Sequence, residues 1–332
     1  MIWDADFLSR KLRAPSANPN VTPPPPRVAL VSQADAPPSL SPRAEYRRGA
    51  LLVAGAALAW STAGLLVRWT VTDPWTTLFW RSIFAGLALF LRLVLTERRK
   101  SVAAFARLGL IGTALGACFA ISMISFINAL SLTTVANVMV FQAASPLFAA
   151  LLAWAWLKER ISARTGIAIA ATMIGVGVMV SSRAGGGEGH ARELAGDLIS
   201  LAMSLASAFV IILAKRERRV SMTAATCLGL AMTALVSLPF ADLAPSSGDL
   251  TLLALFGIGQ MALGLALFSN GVRLIPAADA GLISVIECVL APLWVWLAFG
   301  ETPNARGLFG GAIVLMAVIY ASSRPRRRPK RH

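Results

Sequence analysis

A chain of 332 residues that is 56% hydrophobic and 14% charged, with a mean hydropathy of +0.68, does not have the composition of a water-soluble globular protein. Its recurring apolar runs of about 20 residues match the ~30 Å hydrocarbon core that a membrane helix must cross. The net charge of +15 excludes little by itself, but the basic residues punctuate apolar runs and form no patch interleaved with aromatics, so no nucleic-acid partner is expected.

Residues 1–44, with NPNVTPPPPRV and APPSLSPR, hold no continuous apolar run. This composition cannot bury a core, and a disordered cytoplasmic tail is expected. It also lacks the apolar stretch of a secretory signal. Beyond it the pattern predicts ten helices, at about 49–69, 76–96, 104–127, 132–155, 163–182, 196–214, 222–241, 250–270, 278–299 and 305–322. Turn residues separate them: TDP, RAGGGEGHAREL, ADLAPSSGD and GETPN. Residues 323–332 form a basic tail. The fold class is an all-α integral membrane protein whose partner is the lipid bilayer.

Positive charge tests the count. With the amino terminus in the cytoplasm and ten crossings, only Arg68, Arg183, Arg192 and Arg306 fall near outer ends. Inner ends collect clusters such as Arg98–Lys100, Lys158–Arg160, Lys215–Arg219 and Arg324–Arg331. This bias places both termini in the cytoplasm.

The chain also repeats itself. Phe126/Phe268, Asn128/Asn270, Leu132/Leu274, Ala136/Ala278, Trp154/Trp296, Glu159/Glu301 and Arg164/Arg306 all share an offset of 142 positions. One register thus spans three helices. Repeats of 47–182 and 196–322 with five helices each must insert in opposite senses, which is the build of many secondary transporters.

Mid-membrane polar residues are costly and mark candidate sites. Glu287 lies near the middle of the ninth helix; its repeat mate is Ser145. It suits a substrate ammonium group or proton uptake during a transport cycle, and equally a protonated hydrogen bond that fixes packing. Gln142 and Ser284 are a repeat pair, and Gln260 has Cys118 as its mate. Ser61, Thr62, Ser204 and Ser207 supply hydroxyls in the first and sixth helices, where back-bonding to the helix is the competing role. Trp60 either walls a cavity or packs. Arg81 suits an anion or gate site, against snorkelling to the outer interface as the favoured alternative. Asn137 and Asp279 stand near opposite faces as gate candidates or, more simply, helix caps.

Cys118, Cys227 and Cys288 all sit in apolar runs without disulfide or metal spacing. No metal, cofactor or catalytic residue is expected. Histidine occurs only at His190 and His332, both outside the predicted helices, and no carboxylate pair or phosphate loop appears, so an intramembrane enzyme is the remote alternative.

The segment SPLFAALLAWAWLKER, Ser145–Arg160, resembles the fourth-helix signature of the EamA-type drug/metabolite transporters, and Glu287–Glu301 resembles its second copy. LAWSTAGLLVRW and FWRSIFAGLALFLRLVL resemble the usual first and second helices. The resemblance covers about residues 47–322. It departs where the family often has Glu-Pro, since Glu287 is followed by Cys288 and Pro292 comes later. It implies a ten-helix carrier of the inner membrane, monomer or homodimer, exporting amino acids or other small-molecule substrates. Import or exchange of anionic or phosphorylated metabolites through Arg81 is the second reading.

Overall fold

The computed structural model describes residues 42–97, 100–158, 161–181, 188–217, 220–301 and 305–322. Most of the expected tail, Glu159, the glycine-rich centre of the 183–195 loop and the basic tail at 323–332 lie outside the described residues.

Helices occupy all ten expected places. The first is split into α1 (Pro42–Ser61) and α2 (Ala63–Trp69). Then come α3 (Pro74–Glu97), a short α4 (Lys100–Ala106), α5 (Gly109–Leu132), α6 (Val135–Leu157) and α7 (Ala163–Ser181). The second half holds α8 (Glu188–Arg216), α9 (Met222–Ser237), α10 (Ser247–Ala254), a π-helical stretch Leu255–Ala262, α11 (Leu263–Gly271), α12 (Ala277–Phe299) and α13 (Ala305–Ser322). Eight spans are long and apolar enough to cross a membrane. The apolar stretches of α7 and α13 are shorter, at Ala163–Met179 and Gly307–Ala321.

The structure differs from the sequence expectation in five places. The first helix begins at Pro42, so residues 42–44 of the expected tail are helical, with the proline in the first turn where it sacrifices no helical hydrogen bond. The third helix is divided into α4 and α5 on either side of Arg107 and Leu108. The sixth helix begins at Glu188, so His190 lies within α8 and not in a loop. The first helix breaks at Thr62, where the Ser61 and Thr62 hydroxyls donate to the Leu58 and Ala59 carbonyls. Such back-bonding bends helices. The eighth helix is α-helical only at its ends and widens to a π-helix between them.

Packing obeys the repeat. Exchanging each helix for its mate carries the α5–α8 contact onto α1–α11, α6–α8 onto α1–α12, and α5–α9 onto the contact of α3 with the π stretch. The contacts α3–α9, α6–α12 and α7–α13 map onto themselves. Mates run antiparallel, as inversion requires. Trp80 Nε1 donates to the Asp242 carbonyl while Gly86 lies against Leu230, so α3 opposes α9. The Arg164 guanidinium lies 4.4 Å from the Tyr320 ring centroid while Gly175 and Gly310 touch, so α7 opposes α13.

Helices α6 and α8 run parallel, because Asn137 meets Asp197 and Ser145 meets Ser204. The chain must therefore return along α7 between them. The ends of α6 and α12 show the same symmetry: Lys158 and its mate Gly300 both terminate their helices with left-handed backbone, φ 55° and 66°. Glycine adopts this conformation freely; lysine is strained by it.

The largest apolar core forms where α6 meets α2, α5, α8 and α12, with Met139, Phe141, Ala144, Met203 and Ala291 fully or nearly buried. Leu58, Leu87, Leu235, Leu297 and Met316 are exposed, as expected of side chains that meet lipid.

Candidate functional site

Helices α1 and α12 run side by side in constant register. Tyr46 Oη donates to Asp279 Oδ2 (2.9 Å), Trp294 Nε1 donates to Ser61 Oγ (3.0 Å), and Arg68 Nε pairs with Glu301 Oε2 (2.9 Å). Each pair is separated by 233 positions. That register sets Glu287 beside Ala54, in the small-residue stretch Ala54–Ala57 of α1. Glu287 and Trp294 are two turns apart and share a face of α12.

Glu287 is half-buried and, among the described residues, makes no hydrogen bond or ion pair. Its mate Ser145 is buried and closed off, with Oγ 3.0 Å from Ser204 Oγ, which also donates to the Phe141 carbonyl (2.6 Å). The same position is thus a satisfied hydroxyl pair in one repeat and an unpartnered carboxylate in the other.

A proline follows each, directly after Ser145 and five residues after Glu287. Pro146 and Pro292 lie inside α6 and α12. Lacking N–H, they leave the carbonyls of Gln142 and Cys288 without the usual helical donor. Gln142 is half-buried, and its side chain makes no hydrogen bond among the described residues. Ser284, its mate, back-bonds to the Ala280 carbonyl (2.9 Å).

Arg81 does not snorkel. It is 2% exposed. One Nη2 bond reaches Gln260 Oε1 (3.1 Å), the sulfurs of Met123 and Met261 lie at 3.7 Å, and the Phe256 ring centroid is 4.4 Å away. Its Nε has no hydrogen-bond partner among the described residues. Gln260, on the π stretch, passes the link on: Nε2 donates to the Trp60 carbonyl at 3.3 Å, just before the break in helix one. The Trp60 ring packs on Phe268 (5.3 Å between centroids) and over Gly264. A side chain at Gly257 would strike the Arg81 carbonyl, its Cβ falling 2.6 Å away. Arg81, Gln260 and Trp60 therefore form one chain from α3 through the π stretch to α1.

Ser207 shares a hydrogen bond with Ser122 (2.7 Å), tying α8 to α5. Asn137 and Asp279 are not the caps: Thr134 Oγ1 caps α6, and Pro276 holds the cap position of α12. Both reach a neighbouring helix instead. Asn137 Nδ2 donates to Asp197 Oδ1 (3.2 Å), and Asp279 accepts from Tyr46. The structure thus joins Arg81, Gln260 and Trp60 in one chain, and Ser61 and Glu287 along one helix pair. Asp279 joins the same helix pair through Tyr46, and among the described residues no hydrogen bond brings Gln142 or Ser284 into either group.

Sequence reasoning passed over three residues. Asp197 is fully buried and accepts from Thr133 Oγ1 (3.0 Å) and Asn137. As an acid inside an apolar run it was readable. Arg68 and Glu301 meet only through the helix register; Glu301 served before only to mark the repeat.

The EamA-like transporter family matches over residues 47–181 and again over 194–323. The chain belongs to the EamA-like transporter family. An uncharacterized transporter of Archaeoglobus fulgidus is 25% identical over 202 residues, covering 60% of this chain and 72% of that protein. A protein of known crystal structure superposes with a TM-score of 0.56 at 20% identity, over 82% of this chain and 96% of its own. That likeness is one of fold. The family is one of multi-pass membrane transporters, and it implies transport in place of catalysis.

Proposed function

We propose that this EamA-family protein is a secondary transporter that exports small metabolites, amino acids first among them, across the inner membrane. It has ten crossings, both termini in the cytoplasm, and works by alternating access between the repeats. The observation that carries this reading is Glu287, a half-buried carboxylate near mid-span with no hydrogen bond or ion pair among the described residues, set against its mate Ser145, which is closed off by Ser204. A buried charge without a partner is costly, and a substrate ammonium group or a transported proton would supply one. Gln142 and Ser284 offer neutral donors and acceptors on the core helices, and the hydrogen bonds missing at Pro146 and Pro292, with the break at Thr62, give these helices places to yield.

Arg81 favours this over an anion carrier. Its guanidinium is enclosed by Gln260, two methionines and Phe256, so an anionic cargo would have to displace that cage. Its role here is to hold Gln260 on helix one.

Proteoliposome flux tests the site. Glu287→Gln should cut amino-acid flux at least tenfold, and Gln260→Ala several-fold, with both proteins remaining monodisperse in detergent. Unchanged flux in both variants would remove the site. Counterflow driven by phosphorylated compounds but not by zwitterions would favour the anion reading.

A further inference from the structure

The link between α5 and α6, Leu130–Asn137, is gripped from two sides, and the two grips differ in kind. From one side comes α8. Asp197 accepts from Thr133 Oγ1 and Asn137 Nδ2, all three residues being 5% exposed or less. Arg192 Nη2 adds a bond to the Ser131 carbonyl (3.0 Å). From the other side come α2 and the end of α12. Arg68 donates through Nη1 to the Leu130 carbonyl (2.7 Å) and through Nη2 to the Thr133 carbonyl (3.2 Å). Its Nε pairs with Glu301 Oε2, while Glu301 Oε1 accepts the Val135 N–H at 2.8 Å. One ion pair thus fastens four helix ends: α2, α5, α6 and α12.

We infer that Arg68 and Glu301 are the gating residues at this end of the transporter, a latch that opens when α2 and α12 leave the α5–α6 link. This rests on the alternating-access reading above. Three observations carry it. First, the two grips tie the link to different partners: Asp197 holds it to α8, whereas Arg68 and Glu301 hold it to α2 and the end of α12, so α2 and α12 can leave the link while α8 stays with it. Second, the side chains of Arg68 and Glu301 are 26% and 20% exposed. Water can take over each bond as it breaks, whereas the Asp197 contacts are sealed and would be far costlier to part. The buried grip anchors the link to α8; the hydrated grip is the one that can cycle. Third, the break at Thr62 lies less than two turns below Arg68, so α2 can swing as a short lever while α1 keeps its contacts with α11 and α12.

The test needs no cargo. Native Cys288 is 9% exposed and sits ~20 Å below Glu301 along α12. In a background of Cys118→Ala and Cys227→Ala, a membrane-impermeant maleimide is added to vesicles of each orientation, so that the reagent meets one end of the protein at a time. Applied at the Glu301 end, it should label Cys288 at least fivefold faster in Glu301→Gln and in Arg68→Gln than in the parent. The double variant should match the singles. Labelling from the opposite end should be unchanged or slower. Arg68→Cys/Glu301→Cys in a Cys118→Ala, Cys227→Ala background, oxidised to a disulfide, should block labelling of Cys288 from the Glu301 end until reductant is added, with the label on the Cys288 peptide read separately from that on the two introduced thiols.

Equal acceleration from both ends would show general loosening and overturn the gate. So would unchanged labelling in variants that elute as folded, monodisperse protein. Failure of the transport reading would look different: flux would be absent from the parent protein while the sidedness of labelling still responded to the latch.

Discussion

At position 287 the two repeats differ in charge as well as in size. Its mate Ser145 shares a hydrogen bond with Ser204 (3.0 Å), while Glu287 stands half-buried with no hydrogen bond or ion pair among the described residues. A neutral isostere at 287 removes a buried charge and leaves the volume intact, so Glu287→Gln should stabilise the fold slightly while it abolishes transport. A higher melting temperature in detergent, set beside the lost flux, would separate function from packing. Residue-level strain shows at the helix ends. Gly300 has φ 66° and Lys158 has φ 55°. Gly300→Ala should cost about 1 kcal/mol, and Lys158→Gly should recover a similar amount. The measurement is the shift in melting temperature of the two variants, which should have opposite signs.

At the scale of elements, otherwise regular helices are interrupted at four places. Helix one breaks where two hydroxyls back-bond. Helices α6 and α12 each carry an interior proline, four residues after Gln142 and five after Glu287, and the eighth helix opens into a π stretch that presents Gln260. π segments often occur at functional places because the extra residue per turn redirects a side chain. Restoring regularity should trade mobility for stability. Pro146→Ala gives the Gln142 carbonyl its donor back; an interior proline typically costs ~3 kcal/mol, which bounds the gain. We expect a higher melting temperature and slower flux. Flux unchanged or faster in that variant would deny the bend a role in the cycle.

Across the whole molecule, inversion is the governing fact. Mates α3/α9 and α7/α13 oppose one another, and the contact pattern survives exchange of the repeats. The orientation expected from positive charge then puts Leu243, near the Glu301 end, outside and Lys158 inside. Cysteines introduced at these two exposed positions in a background free of other cysteines should react with an impermeant reagent from opposite faces of right-side-out cells, Leu243→Cys readily and Lys158→Cys only after permeabilisation. The reverse pattern would invert the topology and, with it, the direction of gating.

Much of this was legible in the chain because membrane insertion writes itself in one dimension. Apolar length, basic loop charge and a shared offset are local properties, and they gave the helix positions, the repeat and the break at Ser145/Glu287. The failures were likewise physical. Arg81 read as a snorkelling residue because its depth was counted from the helix end, whereas its enclosure by Gln260, Met123, Met261 and Phe256 depends on which helices pack beside it. Asn137 and Asp279 read as caps from their place near helix starts, yet each bonds across to another helix.

The sequence by itself determined the family, the helical class and the two-fold plan, because hydrophobicity and repetition need no partner to be recognised. Only the tertiary structure decided which polar groups are satisfied and which are not. Satisfaction depends on neighbours hundreds of positions away: Arg68 meets Glu301, Ser61 meets Trp294, and Glu287 makes no hydrogen bond or ion pair among the described residues.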